Sequence, residues 1–184
     1  MGRGLTLRWK INENKIRIAI CAGQIIFGIL FFGHSRAGAE TIEESFASAN
    51  SFFEAGDYTN AVKGYEAVIT QDPNYAPAYN GLGLVYRTLG EDLNDVAWFF
   101  KSALDIDPNY LEACENLANT YYDLRDFDKA EKYFLKALSF NPDLLNSQFR
   151  LAWLYLLGKS QPNQAAMYFK KCWRIRKSLT PISD

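Results

Sequence analysis

Few residues in this 184-residue chain have the types and spacing that catalysis requires. Its one histidine is His34, so Ser-His-Asp and Cys-His nucleophile arrangements and most zinc sites are excluded from the sequence that follows it. Gly81-Leu82-Gly83 suggests a phosphate-binding loop, but it lacks the third glycine and the strand-to-helix setting of a dinucleotide fingerprint. We interpret these glycines as points where two helices approach closely.

Two pairs of aspartates have a spacing that could serve a hard cation. They are Asp105 with Asp107 and Asp126 with Asp128. Calcium takes six to eight oxygen ligands, and neither pair has supporting ones nearby. N-capping and the solvation of helix ends explain these aspartates better. The sequence therefore predicts no catalytic residue, no metal site and no cofactor.

The first 39 residues differ in character from the rest of the chain. Residues 18–33 form an apolar run that is followed by the small residues Ala37-Gly38-Ala39 and preceded by five basic residues, Arg3, Arg8, Lys10, Lys15 and Arg17. This order is typical of a secretory signal peptide over residues 1–39. The alternative is an uncleaved signal anchor, although the run is shorter than the roughly 20 residues that span a bilayer comfortably. Both interpretations place residues 40–184 outside the cytoplasm: exported to the periplasm or cell exterior, or anchored to the inner membrane.

A four-residue pattern around proline recurs along the remaining chain. Asp72–Tyr75 and Asp107–Tyr110 both read DPNY, and Asn141–Leu144 reads NPDL. Between these prolines, apolar residues follow helical spacing, and the residue before each proline resists helical geometry. We therefore predict helix–turn–helix repeats over residues 42–75, 76–110, 111–144 and 145–178. The second repeat is one residue longer, and the excess falls around Glu91 and Asp92.

At this point the repeats resemble the tetratricopeptide repeat family. That family's signature is matched by Tyr79-x-x-Leu82-Gly83-x-x-Tyr86, followed by Val96, Phe100, Ala103 and Pro108. Together with the predicted leader, the match indicates a family member of the exported bacterial type. The resemblance implies an all-α, right-handed solenoid of four repeats across residues 40–184. It also implies a non-catalytic scaffold that binds an unidentified protein or peptide in a concave groove. Alternatives are a membrane-associated structural subunit, or an accessory domain serving a separate envelope enzyme of cytochrome maturation or surface-polymer export.

In this family the first helix of each repeat lines the groove. The resemblance therefore implies peptide-binding residues at Asn50, Asn80, Leu84, Arg87, Glu112, Asn116, Asn119, Tyr122, Arg150 and Trp153. Amides can donate to and accept from a peptide backbone, and large aromatic rings often dominate binding energy. Some relatives hold a terminal carboxylate through lysine, asparagine and arginine. Of these carboxylate-binding positions, only Asn116 and Arg150 match in this chain. Asn80 and Asn146 occupy the positions where those relatives have lysine.

Charge is divided unevenly along the chain. From Glu40 to Leu144 there are 19 acidic and 7 basic residues, whereas from Leu145 to the end there are 7 basic residues and 1 acidic residue. The basic residues concentrate at Lys170–Lys177, interleaved with Trp173. Such a helix suits an anionic membrane, an acidic partner, attraction between copies of the chain, or plain solvation. A nucleic acid partner is not expected, because the acidic body would repel phosphates.

Two cysteines, Cys114 and Cys172, remain after the predicted leader. The sequence alone leaves open whether they pair. Both fall on apolar faces of predicted helices, where cysteine behaves as a small hydrophobic residue, and we favour unpaired core residues.

Overall fold

The protein is described by a computed structural model over residues 41–179, except for the side chains of residues 178 and 179. The predicted leader, residues 1–39, and its apolar run lie outside the described residues. Within residues 41–179 there are eight α-helices and no strands, which confirms the predicted all-α class. They are α1 (Ile42–Glu54), α2 (Tyr58–Gln71), α3 (Ala76–Thr88), α4 (Leu93–Ile106), α5 (Leu111–Asp123), α6 (Phe127–Phe140), α7 (Leu145–Trp153) and α8 (Pro162–Leu179).

The helices follow the periodicity of the sequence. The odd-numbered helices α1, α3 and α5 each have 13 residues, and the even-numbered helices α2, α4 and α6 each have 14. Four residues join α3 to α4, whereas three join α1 to α2 and α5 to α6, so the extra residue of the second repeat lies in this turn. After α7 the chain continues as a π-helical turn, Leu154–Gly158, before α8 begins at Pro162.

The recurring proline pattern is a turn held by the side chain at its first position. Asp72 Oδ1 accepts a hydrogen bond from the Asn74 amide at 2.9 Å, and Asp107 Oδ1 accepts one from the Asn109 amide at 2.9 Å. A side chain that accepts from the backbone two residues on mimics a backbone turn, and proline cannot continue the preceding helix. The motif therefore ends one helix and directs the chain into the next.

Helix starts confirm the capping role expected for acidic side chains. Asp126 Oδ1 accepts from the Lys129 amide at 3.2 Å, where α6 begins. At α1, Thr41 and Glu44 form a capping box, in which the Glu44 amide donates to Thr41 Oγ1 at 3.2 Å and the Thr41 amide donates to Glu44 Oε2 at 2.9 Å. Each such cap satisfies amides that the helix leaves without an internal acceptor.

The described helices divide into two compact units. The first unit contains α1–α4, and its fully buried side chains include Tyr65, Leu82, Phe99 and Phe100. Gly83 lies against one of these rings: a Cβ placed there would come within 2.5 Å of the Phe100 ring. A Cβ at Gly81 would come within 2.6 Å of the Tyr65 ring. The glycine pair is therefore a close-packing feature, as the sequence indicated.

The second unit contains α5–α8 around a core of its own. The largest fully buried side chains there are Leu117, Phe134, Leu151 and Leu154. Cys114 and Cys172 are both free and buried, as the sequence favoured. Burial raises the pKa of both thiols, which keeps them protonated and inert near neutral pH.

Candidate functional site

In the second unit, the positions implied for binding lie along one side of α5. Residues 112, 116, 119 and 122 follow the three- and four-residue spacing that places side chains on one face of a helix. Glu112 is exposed and accepts a hydrogen bond from the Tyr110 hydroxyl at 3.2 Å. Asn116 and Tyr122 are half-buried, and Asn119 is buried. This side of α5 therefore offers a carboxylate at its start, then two amides, then an aromatic ring.

Asn119 is the most unusual member of this set. Its side chain is 7% exposed, which differs from the solvent-facing amide that the sequence suggested. Its Oδ1 atom is buried and accepts no hydrogen bond from any described residue. A buried acceptor without a partner costs about 1–3 kcal/mol, because its hydration is lost and nothing replaces it. Rotation of the Asn119 amide toward the surface would let a ligand N–H group bond to this oxygen and recover the energy.

Arg150 on α7 lies next to the aromatic end of α5. Its guanidinium carbon is 5.4 Å from the centroid of the Tyr122 ring, and its Nη1 atom is 3.9 Å from Asp123 Oδ1. The structure thus brings together two of the implied binding residues, Tyr122 and Arg150. The long, half-exposed ion pair adds little stability. Its geometry leaves the guanidinium, a donor-only group, at the surface beside an aromatic ring.

Trp153 belongs to a cluster of three aromatic rings. Its ring centroid is 6.1 Å from Phe149 and 5.5 Å from Phe169, and Phe149 is 5.9 Å from Phe169. All three pairs are close to perpendicular, an arrangement that aromatic quadrupoles favour. Phe149 is 46% exposed, while Trp153 and Phe169 are half-buried. The cluster is therefore an apolar surface with fixed ring orientations.

The sequence did not identify Phe169 as a residue that reaches the surface. It stands at the repeat position of Phe100 and Phe134, both of which are fully buried. That periodicity predicts a core residue. The available sequence signal was Phe149 on the preceding helix, because an aromatic ring at a groove position packs against neighbouring rings.

The first unit places its implied binding residues differently. Asn50 Oδ1 accepts a hydrogen bond from the Tyr65 hydroxyl at 2.7 Å, so it holds a core side chain. Burial, with a smaller contribution from Glu54, raises the pKa of Tyr65 to about 12. Asn80 is only 3% exposed and belongs to the interior, which corrects the expectation of an open groove amide. Leu84 and Arg87 on α3 are half-buried.

A charged network in the second unit had no sequence signal. Glu131 on α6 accepts hydrogen bonds from the Tyr155 hydroxyl and from Lys159, and Lys159 also lies 2.7 Å from Asp128. These contacts with Asp128 and Glu131 raise the pKa of Lys159. Burial, followed by Glu131, raises the pKa of Tyr155. Because every charge is paired, the network ties the π-helical turn to α6 and offers no reactive group.

Two further properties concern the described residues as a whole. Across residues 41–179, no group of three or more histidine, cysteine, aspartate or glutamate side chains is placed to hold a metal ion. In the same range, no helix combines the length and the apolar character needed to cross a bilayer.

Family models match two stretches of the chain. One, a TPR repeat, matches residues 49–90, and another, a tetratricopeptide repeat, matches residues 111–144. Superkiller protein 3 of Schizosaccharomyces pombe is 26% identical over an alignment of 148 residues, which covers 72% of this chain but only 11% of that protein. The protein ycf37 of Pyropia yezoensis is 30% identical over an alignment of 146 residues, which covers 74% of this chain and 80% of ycf37.

A solved structure extends the likeness in fold. The crystal structure of MamA matches with a TM-score of 0.70 at 19% identity, covering 97% of this chain and 96% of that one. At this identity the match concerns the fold alone, and it confirms the predicted all-α repeat solenoid. The chain belongs to the tetratricopeptide repeat family, whose repeats are scaffolds for interactions between proteins.

Proposed function

We propose that the second unit binds an extended segment of a partner protein across α5 and α7. The observation that carries this proposal is the buried Asn119 Oδ1 atom, an acceptor without a partner among the described residues. A peptide backbone supplies N–H donors at regular intervals, and one of them would satisfy this oxygen once the Asn119 amide rotates toward the surface. Asn116, half-buried on the same side of α5, adds an amide that can both donate and accept.

The neighbouring side chains indicate the character of the bound segment. The Phe149–Trp153–Phe169 cluster presents apolar area with fixed ring orientations, which suits a large aliphatic or aromatic side chain. Arg150 supplies donors for a backbone carbonyl or a carboxylate. Glu112, exposed at the start of α5, favours a basic residue toward that end of the segment. The partner is therefore an apolar peptide with opposite charges near its two ends.

The first unit offers a smaller surface of its own. Its implied binding residues Leu84 and Arg87 are half-buried on α3. Asn50 and Asn80 are proposed to support that surface from beneath, Asn50 by its hydrogen bond to Tyr65 and Asn80 by its buried position.

Photo-crosslinking from a single position tests the proposal. A benzophenone amino acid at position 116 of the full chain should form a covalent adduct with a second protein in extracts of the source cells. The matched control carries the same group at position 135, an exposed leucine on α6. Adducts from position 135 but not from position 116 would place the binding surface elsewhere.

We further propose that this binding takes place outside the cytoplasm, in a cell-envelope or exported complex. The support is the order of charge, apolar run and small residues over residues 1–39. N-terminal sequencing of the native protein should find Glu40 as its first residue. Finding Met1 or Gly2 on the native protein would contradict cleavage.

A further inference from the structure

The exposed side of α8 combines positive charge with a large aromatic ring. Lys170, Lys171, Arg174 and Lys177 are all exposed, and Trp173 among them is 65% exposed. Lys177 Nζ lies 5.4 Å from the centroid of the Trp173 ring. The buried side of the helix, formed by Ala165, Tyr168 and Cys172, faces the interior. The basic side is thus held outward by the packing of the helix.

The sequence from the start of α7 to the end of α8 carries basic residues without acidic ones. Residues 145–179 contain seven basic residues and no acidic residue, whereas residues 42–71 contain five acidic residues and one basic residue. We call the exposed residues Lys170, Lys171, Trp173, Arg174 and Lys177 the basic surface. Its positive charge is complementary to the negative charge of an anionic lipid bilayer. The acidic first unit, in contrast, is repelled by the same bilayer. Among these helices, the basic surface is therefore the part that an anionic membrane attracts.

The aromatic ring favours a bilayer over a purely electrostatic partner. Tryptophan concentrates at membrane–water interfaces, where its ring lies at the level of the headgroups. Trp173 stands three positions from Lys170 and four from Lys177, so these two cations are its neighbours on the helix surface. Met167, also exposed, lies on the same helix one turn before Lys171.

We propose that the basic surface of α8 docks the protein onto the surface of an anionic bilayer, with Trp173 in the headgroup layer. The helix lies along the bilayer without crossing it, since its opposite side is part of the core of the second unit. This contact uses side chains different from those of the proposed peptide surface, which takes only Phe169 from α8, so either can fail without the other. It is also separate from any anchoring by residues 18–33.

Sedimentation with vesicles tests the docking. The full chain is mixed with phosphatidylcholine vesicles containing either no phosphatidylglycerol or 30% of it, at 50 mM and at 500 mM salt. Each basic residue near an anionic surface is worth about a fivefold factor in binding, so we expect at least a tenfold preference for the anionic vesicles at low salt. The preference should vanish at high salt, because screening shortens the range of the attraction. Neutral vesicles measure any contribution of residues 18–33 separately.

Variants assign the preference to α8. Lys170→Glu with Arg174→Glu should reduce binding to anionic vesicles to the level of neutral ones. Lys63→Glu with Lys101→Glu makes the same change in net charge at exposed positions of the first unit and should lose far less. Equal binding to both vesicle types by the native chain, or a preference that survives the α8 reversal, would overturn the proposal. Circular dichroism checks that all variants retain their helices.

Fluorescence gives a readout that does not depend on sedimentation. Brominated lipids quench tryptophans that lie at the bilayer surface, and the Trp173→Phe variant should lose a distinct quenched component. Unchanged quenching in that variant would contradict the docking even if residues 18–33 hold the chain on the vesicle. The chain could instead self-associate without vesicles, in a way that the α8 reversal abolishes. That result would mean that the basic surface binds the acidic first unit of a second copy and would contradict the docking.

Discussion

Replacing Trp153 and Asn116 together with alanine is expected to weaken binding of the partner segment at least about 100-fold. Aromatic residues at the centre of an interface commonly contribute 2 kcal/mol or more each, or a factor of about 30. Trp153 makes two of the three ring contacts in the aromatic cluster, so its removal also frees Phe149 and Phe169 to move. Asn116→Ala removes an amide that a peptide backbone would use.

The loss should be one of binding and not of folding. Trp153 and Asn116 are half-buried, and neither belongs to the fully buried core. The affinity of the full chain for the crosslinked segment, measured by fluorescence anisotropy, gives the effect. Trp173→Ala is the matched control, because it deletes the same side chain from the exposed side of α8 and should leave this affinity within a factor of about three. Equal losses in both variants would mean that the aromatic cluster on α7 is not the binding surface.

The fold could be predicted from the sequence because each repeat ends at a turn that its own residues specify. The Asp–Pro and Asn–Pro turns depend on local chemistry, in which the first side chain accepts a hydrogen bond from the backbone two residues later. Helical spacing predicted the buried positions of α3 and α4 for the same reason. The glycine pair in α3 was interpreted correctly, since its neighbours are repeated aromatics at fixed separation.

One turn departs from the pattern set by glycine. Gly56 and Gly90 follow α1 and α3 with φ of +78° and +74°, and the equivalent residue after α5 is Arg125 with φ of +62°. A left-handed conformation costs a residue with a side chain about 1–2 kcal/mol. The repeat geometry therefore overrides the local preference at this position.

The candidate site was predictable only in outline. The family resemblance, applied through the repeat register, implied groove positions for Tyr122, Arg150 and Trp153, and their binding role stays a prediction. The sequence could not indicate that Asn119 Oδ1 is buried without a partner, since this depends on the packing of all surrounding side chains. The hydrogen bonds from Tyr155 and Lys159 to Glu131 span 24 and 28 residues. Their register is set by the π-helical turn, which no local sequence pattern predicted.

Asn119→Leu should have opposite effects on stability and on binding. The variant removes a buried acceptor that has no partner among the described residues and replaces it with an apolar side chain of similar size. Exchanging an unsatisfied polar group for an apolar one is neutral or stabilising, so we expect the free energy of unfolding to rise by about 1–2 kcal/mol. Binding should weaken about tenfold or more, because the partner's N–H then faces a side chain that cannot accept.

Urea denaturation and peptide affinity, measured on the same full-length Asn119→Leu protein, test the central claim most directly. Asn109→Leu, at an exposed turn position, is the matched control and should change neither quantity appreciably. A more stable protein that binds the partner segment less tightly is the result that the proposed role of Asn119 predicts. A less stable protein with unchanged affinity would mean that Asn119 is a structural residue and that the binding surface lies elsewhere.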